Sequence, residues 1–248
     1  MEIALNMAMN QVPGNSGFNL VDIPGLQLLE LPKRDLASAV PALVGDYSGN
    51  GNTGSFEGSM ELNQVVGRSF FRFDGTDDYI SFGTDISLVN NFSISVLFKT
   101  TDTSFSLLSK YDTGANQRGF QFIISPTGNI DIYESANGIT PYQRTIDAAV
   151  AYNAGGANFV TWAKAGAVLK SYVNGVEKVV TFVDATTVAA LHNSTSPLLS
   201  GARMNSGVPG YFGEWDKGAL IVNSGILSLS DHQRIYNSPE IQSIKAGM

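Results

Sequence analysis

The sequence predicts an all-β fold, an antiparallel sandwich of two sheets. Three observations carry this expectation. Glycine is abundant, with 26 among 248 residues. Short apolar runs recur between turn signals, and several alternate with polar residues at the strand period of two. Helical patterning is confined to one short stretch near the end. No Pro- or Ser-rich linker divides the chain, so one large domain is expected rather than two small ones.

Residues 1–45 read differently from the rest. Val12-Pro-Gly-Asn-Ser-Gly17 and Ile23-Pro-Gly25 are turn signals, and the apolar-rich stretch Leu26-Gln-Leu-Leu-Glu-Leu31 follows them. Two readings stand. One is an N-terminal strand added to the sandwich. The other is an arm that docks on a partner chain, by extending a sheet edge or filling a groove. The chain is therefore divided into an N-terminal arm, 1–45, and a sandwich domain, 46–248.

The sandwich opens with Asp46-Tyr-Ser-Gly-Asn-Gly-Asn-Thr-Gly54, a loop. Its glycines permit positive φ, and Asp, Ser and Asn supply side-chain oxygens between them. Phe73-Asp-Gly-Thr-Asp-Asp-Tyr-Ile-Ser-Phe82 reads as strand, tight turn, strand. In Phe92-Ser-Ile-Ser-Val-Leu-Phe98 the residues Phe92, Ile94, Val96 and Phe98 share a face, with Trp162 expected beside them. Ser93 and Ser95 point the other way. Phe120-Gln-Phe-Ile-Ile124 and Asn129-Ile-Asp-Ile-Tyr133 flank the turn Pro126-Thr-Gly128. Val168–Val173 and the run 178–183 flank Asn174-Gly175, which suits a type I′ hairpin because both central residues need positive φ. Leu229-Ser-Asp-His-Gln-Arg-Ile-Tyr236 reads as a short helix, with Ser230 as N-cap and Asp231 in the first turn.

Taken in order, these segments resemble a laminin-G-like, pentraxin-like jelly roll within the concanavalin A-like group. The resemblance runs over about residues 45–240. Beyond the opening loop and the 73–82 segment it rests on Phe159-Val-Thr-Trp-Ala163, the Tyr172-Val-Asn-Gly175 hairpin, Gly213-Glu-Trp-Asp216, Leu227-Ser-Leu-Ser230 and Ile235-Tyr-Asn237. It departs from the family pattern after Asp216, where Lys217-Gly-Ala-Leu-Ile-Val-Asn223 replaces the usual strand. The acidic, aromatic first strand is also missing before Asp46. The resemblance implies an antiparallel two-sheet jelly roll, here with an N-terminal arm and a short C-terminal helix. It further implies one calcium ion between the first loop and the late strand. Asp46 and Asp216 would supply carboxylates and Asn52 an oxygen, with carbonyls and water completing the shell. The residues by themselves equally allow Asp46 to do no more than cap its turn. Asp74, Asp77 and Asp78 form a second acidic group, read chiefly as turn-shaping.

Other chemistries find little support. Some concanavalin A-like enzymes carry Glu-x-Asp-x-x-Glu on one strand. Here Glu214-Trp-Asp216 is followed by Ala219 where the second Glu would stand, and without that carboxyl group the acid/base role is empty. Glu57 and Glu61, four apart, would share a face of one strand. His192 and His232 lack a His or Cys partner at metal spacing, and the chain has no cysteine. There is no Gly-x-Ser-x-Gly elbow, and Gly49-Asn-Gly-Asn-Thr-Gly54 lacks the Lys-Ser/Thr of a phosphate loop. A net charge of −7 without a basic cluster argues against nucleic acid. Trp162 and Trp215 are expected in the core. Tyr111, Tyr142 and Tyr211 lie near turns, but isolated surface tyrosines are ordinary and the sequence names no glycan site.

The expected function is non-catalytic recognition or assembly at an outer surface. The leading reading is a virion component, a phage capsid-decoration or tail-associated protein with a glycan-binding role. Such a protein would join other chains through its arm, as part of an oligomer. The alternative is a carbohydrate-binding module of a secreted protein, and a glycoside hydrolase comes third. Residues 1–10 lack the basic and apolar regions of a secretory signal. No apolar run approaches the roughly 20 residues that cross a bilayer, so membrane insertion is not expected.

Overall fold

The computed structural model describes residues 19–32, 43–65, 68–114, 116–146 and 155–248. Its strands, in chain order, are β1 (Leu26–Glu30), β2 (Leu43–Val44), β3 (Gly54–Glu57), β4 (Glu61–Val65), β5 (Arg68–Asp74), β6 (Tyr79–Ser81), β7 (Asn91–Lys99), β8 (Phe105–Asp112), β9 (Gln117–Ile124) and β10 (Ile130–Gly138). They continue as β11 (Tyr142–Ile146), β12 (Asn158–Ala165), β13 (Val168–Val173), β14 (Val176–Lys178), β15 (Val180–Phe182), β16 (Leu199–Ser200), β17 (Arg203–Asn205), β18 (Val208–Gly210) and β19 (Glu214–Asn223). Helices α1 (Leu229–Tyr236) and α2 (Pro239–Lys245) close the chain.

The strands form two sheets. The first runs β14-β13-β12-β7-β19-β5-β4, with β1 also paired to β19. The second runs β15-β11-β10-β9-β8-β16-β6-β3-β2, and the hairpin of β17 and β18 joins it at β8. All pairings are antiparallel except the contact of β17 with β8. This is the expected two-sheet sandwich.

The core between the sheets follows from the period of two. Register aligns Ile94 of β7 with Trp162 of β12, and Val96 with Val160. Phe92, Ile94, Val96 and Phe98 all turn inward, as predicted. Phe92 meets Trp162 edge-to-face at 5.0 Å, and Phe73 stacks on Trp215 at 4.4 Å. Each large apolar side chain so buried contributes about 1.5–3 kcal/mol.

Ser93 and Ser95 do point the opposite way, but towards a second core rather than water. Leu97, Phe159 and Ile221 on that outer face are covered by Ile235, Ile241 and Ile244 of the two helices. Ser93 Oγ accepts from Leu227 N at 2.7 Å and donates to Gly225 O at 3.0 Å. Ser95 and Thr161 share a 2.7 Å hydrogen bond. Polar residues on a covered face are tolerated because each hydroxyl finds a partner.

Several local expectations are corrected. The N-cap of α1 is Ser228, two residues earlier than Ser230. Its side chain accepts from Asp231 N while the Asp231 carboxylate accepts from Ser228 N, a capping box. A second helix, α2, was not expected; Ser238 caps it and Pro239 opens it. Asn174 (φ 50°) and Gly175 (φ 86°) make the predicted turn between β13 and β14. The strand expected over 178–183 is split, however, because β15 crosses to the second sheet and pairs with β11. Arg144 pins it there, with its guanidinium 4.5 Å from the Phe182 ring centre and Nη1 donating to Asp184 O at 3.1 Å.

The arm also needs correction. Residues 26–30 are a strand of the sandwich, antiparallel to β19. A register shift between Leu26 and Leu28 breaks the alternation. Leu26 and Leu29 therefore enter the outer core while Leu28 enters the inner one. That bulge is why the sequence shows no sustained strand pattern there. The rest of the proposed docking arm, residues 1–18 and 33–42, lies outside the described residues.

Candidate functional site

The calcium set is tested first by where its members fall. Asp46 Oδ1 accepts from Leu29 N at 3.2 Å and Ser48 N at 2.8 Å, and Oδ2 accepts from Asn52 N at 2.8 Å. Asn52 Nδ2 donates to Gln27 O at 2.7 Å. Asp46 and Asn52 thus come together, and they stitch their loop to β1. Asp216 does not join them. Leu29, which Asp46 holds, pairs with Ile221. Along β19 the step from Ile221 back to Asp216 is about 17 Å at roughly 3.3 Å per residue. A calcium shell spans a few ångströms, so the three residues do not fit one ion. The resemblance misleads here because the first loop is anchored to β1, well along β19 from Asp216.

Asp74, Asp77 and Asp78 lie within 4.8 Å of one another. Their bonds shape the crossing from β5 in the first sheet to β6 in the second. Asp78 is buried; it accepts from Ser59 N at 2.7 Å and Asp74 N at 2.9 Å, and burial raises its carboxyl pKa. Glu57 and Glu61 do not share a strand face, contrary to expectation. They lie on β3 and β4, in different sheets, with a turn at Gly58 (φ 85°) between them.

Glu214 is exposed and pairs with Arg72 at 2.9 Å. Asp216 is half-buried, and burial raises its pKa against the opposing pull of Arg72 and Lys99. Ala219 is fully buried under the helices. The position of the missing second carboxylate is therefore packed and dry. His192 bonds Gln117 Oε1 at 3.2 Å through Nε2. His232 is buried between helix and sheet; its Nε2 accepts from Gly175 N at 3.0 Å and its Nδ1 meets Thr161 Oγ1 at 2.7 Å. Neither histidine is near a metal-ligating cluster among the described residues.

The outer face of the second sheet offers a different arrangement. Both helices cover the first sheet, so this face keeps its polar side chains. Register aligns Ser109, Gln121, Tyr133 and Gln143 in one row across β8 to β11. The adjacent row is Ser106, Ile123, Asp131 and Thr145. These residues alternate with the inward Phe122, Ile124, Ile130 and Ile132. The chain then returns over one end of the rows through β17 and β18. Arg203, at the start of β17, sits with its guanidinium 4.1 Å from the Tyr211 ring centre and 6.0 Å from that of Tyr111. Its Nη1 donates to Gln121 Oε1 at 3.2 Å.

Two details mark this as a built surface. Tyr211 holds φ 67°, which a bulky aromatic residue adopts only under constraint. Its carbonyl accepts from Ser106 N at 2.9 Å, and the turn presents a ring that is 40% exposed beside Arg203. Gln121 is 1% exposed, and its Nε2 has no hydrogen-bond partner among the described residues. Asp131 is held by Thr145 Oγ1 at 2.8 Å and Gln143 Nε2 at 2.9 Å. Burial raises its pKa, and raises those of Tyr111 and Tyr133 as well.

Of the three tyrosines read as lying near turns, Tyr111 and Tyr211 meet here, although Tyr111 is largely buried. Tyr142 instead packs against the inner core. Trp162 and Trp215 are core residues, as expected. Sequence reasoning missed Gln121, Tyr133 and Arg203. The first two were readable as polar or amphipathic positions alternating with Phe and Ile. Arg203 was not, because nothing local says that its hairpin folds over β8.

A sequence model of the concanavalin A-like lectin/glucanases superfamily, of laminin-G type, matches residues 74–217. No curated protein matches the chain. Among solved structures, domain 4 of the extracellular GH43 arabinanase AbnA from Geobacillus stearothermophilus, solved with arabinotriose, is similar with a TM-score of 0.59 at 16% identity. That match covers 85% of this chain and 97% of the domain. The binding domain of botulinum neurotoxin serotype D gives 0.63 at 16% identity, covering 86% of this chain and 51% of that one. The binding domain of Paraclostridial Mosquitocidal Protein 1 gives 0.64 at 12%, covering 88% and 53%. This chain spans about half the length of those two toxin chains. At such identities the likeness is one of fold.

Proposed function

This chain belongs to the concanavalin A-like lectin/glucanases superfamily, and from that membership we propose that it is a non-catalytic glycan-recognition domain. The observation that carries the reading is the grouping of Tyr111, Tyr133 and Tyr211 around Arg203, beside the unpartnered Gln121 Nε2. Sugars are bound by aromatic faces together with a few fixed polar donors and acceptors. The outer face of the second sheet supplies both. A non-catalytic role is supported by the buried Ala219 and by the ion pair that occupies Glu214. The structural relatives solved as binding domains, and the arabinanase domain solved with an arabinose trisaccharide, fit the same reading.

The test is a glycan array probed with the full chain and with Tyr211→Ala. Binding to at least one glycan class, lost or weakened by roughly tenfold in the variant at an unchanged melting temperature, supports the reading. A blank array, or binding indifferent to Tyr211, overturns it. The carrier of the domain is a separate matter. A virion outer surface and a secreted protein are the two carriers proposed, and partner contacts through residues 1–18 or 33–42 belong with the first. Recovery of the chain with purified particles rather than from culture supernatant distinguishes them. Among the described residues, no helix is long and apolar enough to cross a membrane.

A further inference from the structure

We propose that the surface formed by Arg203 and Tyr211 takes the carboxylate of an acidic sugar, a glycan residue bearing a uronate or sialate carboxyl group. This rests on the glycan-recognition reading and names its ligand class. Arg203 is half-buried against Tyr211, yet no carboxylate of the described residues lies within ion-pair distance of it. Several other cations among the described residues are satisfied within the fold. Arg118, its neighbour, donates to the carbonyls of Thr113, Gly138 and Ile139. Lys110 donates to those of Thr84 and Ser196. Lys164 and Lys217 are paired with Glu134 and Glu30. Arg203 differs from Arg118 in donating to the Gln121 side chain rather than to backbone carbonyls, and in a chain of net charge −7 a half-buried guanidinium with neither a carboxylate nor a backbone carbonyl among the described residues is conspicuous.

The geometry around it selects a planar anion. Contact with the Tyr211 ring face and the bond from Nη1 to Gln121 Oε1 together restrain the guanidinium. The remaining donors form part of the fork that matches a carboxylate with two parallel hydrogen bonds. The Gln121 Nε2 donor, buried and unpartnered, stands on the same amide. A buried donor of that kind is normally satisfied, and a ligand oxygen reaching it beside Arg203 would satisfy it. A neutral sugar would answer the amide and leave the cation uncompensated. Asp131 forms no ion pair with Arg203; its two oxygens accept from Thr145 and Gln143.

Calorimetric titration of the full chain decides the matter. The probes are trigalacturonate and sialyllactose, each set against its neutral counterpart, a galactose trisaccharide and lactose. One acidic probe should bind at least about tenfold more tightly than its counterpart, and its affinity should fall as salt rises. Whichever probe binds identifies the source of the carboxylate. Arg203→Gln should erase the preference, and Arg203→Lys, which keeps the charge but loses the fork, should retain only part of it. If Arg203→Gln lowers the melting temperature, Arg203→Lys alone is scored, and full retention of the preference counts against the proposal. Equal binding of acidic and neutral probes, or a preference unchanged in the variants, overturns the acidic-sugar inference and leaves glycan recognition standing. Failure of both acidic probes overturns it as well, and together with a blank array it removes the glycan reading too.

Discussion

Glu30 and Lys217 meet at 2.5 Å, 187 residues apart, with both side chains fully buried. The pair ties β1 to β19 inside the inner core, where the Lys217 ammonium also lies 5.1 Å from the Phe82 ring centre. Two charges taken out of water are tolerable only as a pair. Glu30→Gln should therefore cost about 3–5 kcal/mol, because it leaves Lys217 buried and uncompensated. Glu30→Leu combined with Lys217→Met should recover most of that loss. Urea unfolding of the two variants checks both halves of the argument. Equal losses in the single and double variants would sink it. By the same logic, deleting residues 1–40 should destabilise the sandwich rather than release a dispensable arm.

A second prediction concerns Asp46. Its carboxylate accepts three backbone N–H bonds, from Leu29, Ser48 and Asn52. Hydrogen bonds to a charged acceptor contribute more than neutral ones, so Asp46→Ala should cost about 2–3 kcal/mol. That cost belongs to the loop and its seam with β1, and it needs no ion. Thermal melts of wild type and variant should differ by the same amount in calcium and in chelator. If calcium raises the wild-type melting temperature and Asp46→Ala abolishes the rise, Asp46 is a ligand after all and the argument from strand spacing is wrong.

The parts of the fold that were legible in the sequence are those decided locally. The inward face of β7 follows from alternation, and the Asn174-Gly175 turn follows from the backbone conformation those residues accept. The illegible parts depend on distant packing. The β1 strand carries a bulge that scrambles its pattern. The alternation of β7 turned Ser93 and Ser95 away from the inner core but did not say that α1 and α2 cover that face, and a helix as short as α2 leaves almost no periodic signal. The candidate site divides in the same way. Tyr111 and Tyr211 were noted as lying near turns, whereas Arg203 reaches them only because the hairpin of β17 and β18 folds back over β8. Asp46 and Asp216 were joined by analogy, and the register of β1 on β19 separates them.

The last prediction uses pH. His232 is buried between Phe159, Tyr172 and Tyr236, with ring centres 5.2, 5.3 and 6.3 Å away. Its Nε2 accepts the Gly175 N–H, so the proton sits on Nδ1 and is donated to Thr161, whose hydroxyl also bonds Ser95. This neutral tautomer is fixed by the hydrogen bonds around it, and protonating Nε2 would break the bond from Gly175. Burial lowers the imidazole pKa from 6.5 to about 4. The unfolded chain therefore takes up the proton first as pH falls. Stability from the neutral ring is fully present above pH 6.5, declines as pH drops through the window from 6.5 to 4, and is gone below it. The loss across that window should be on the order of 3 kcal/mol. Buried Asp78 and half-buried Asp216, with raised pKa values, act in the opposite sense, since their burial favours the protonated carboxyl. Comparing wild type with His232→Gln removes their contribution, because it is common to both. Denaturant midpoints measured from pH 7 down to pH 4 should fall more steeply for the wild type than for the variant. Parallel slopes would mean that His232 is already charged in the folded state or is not closed off from water.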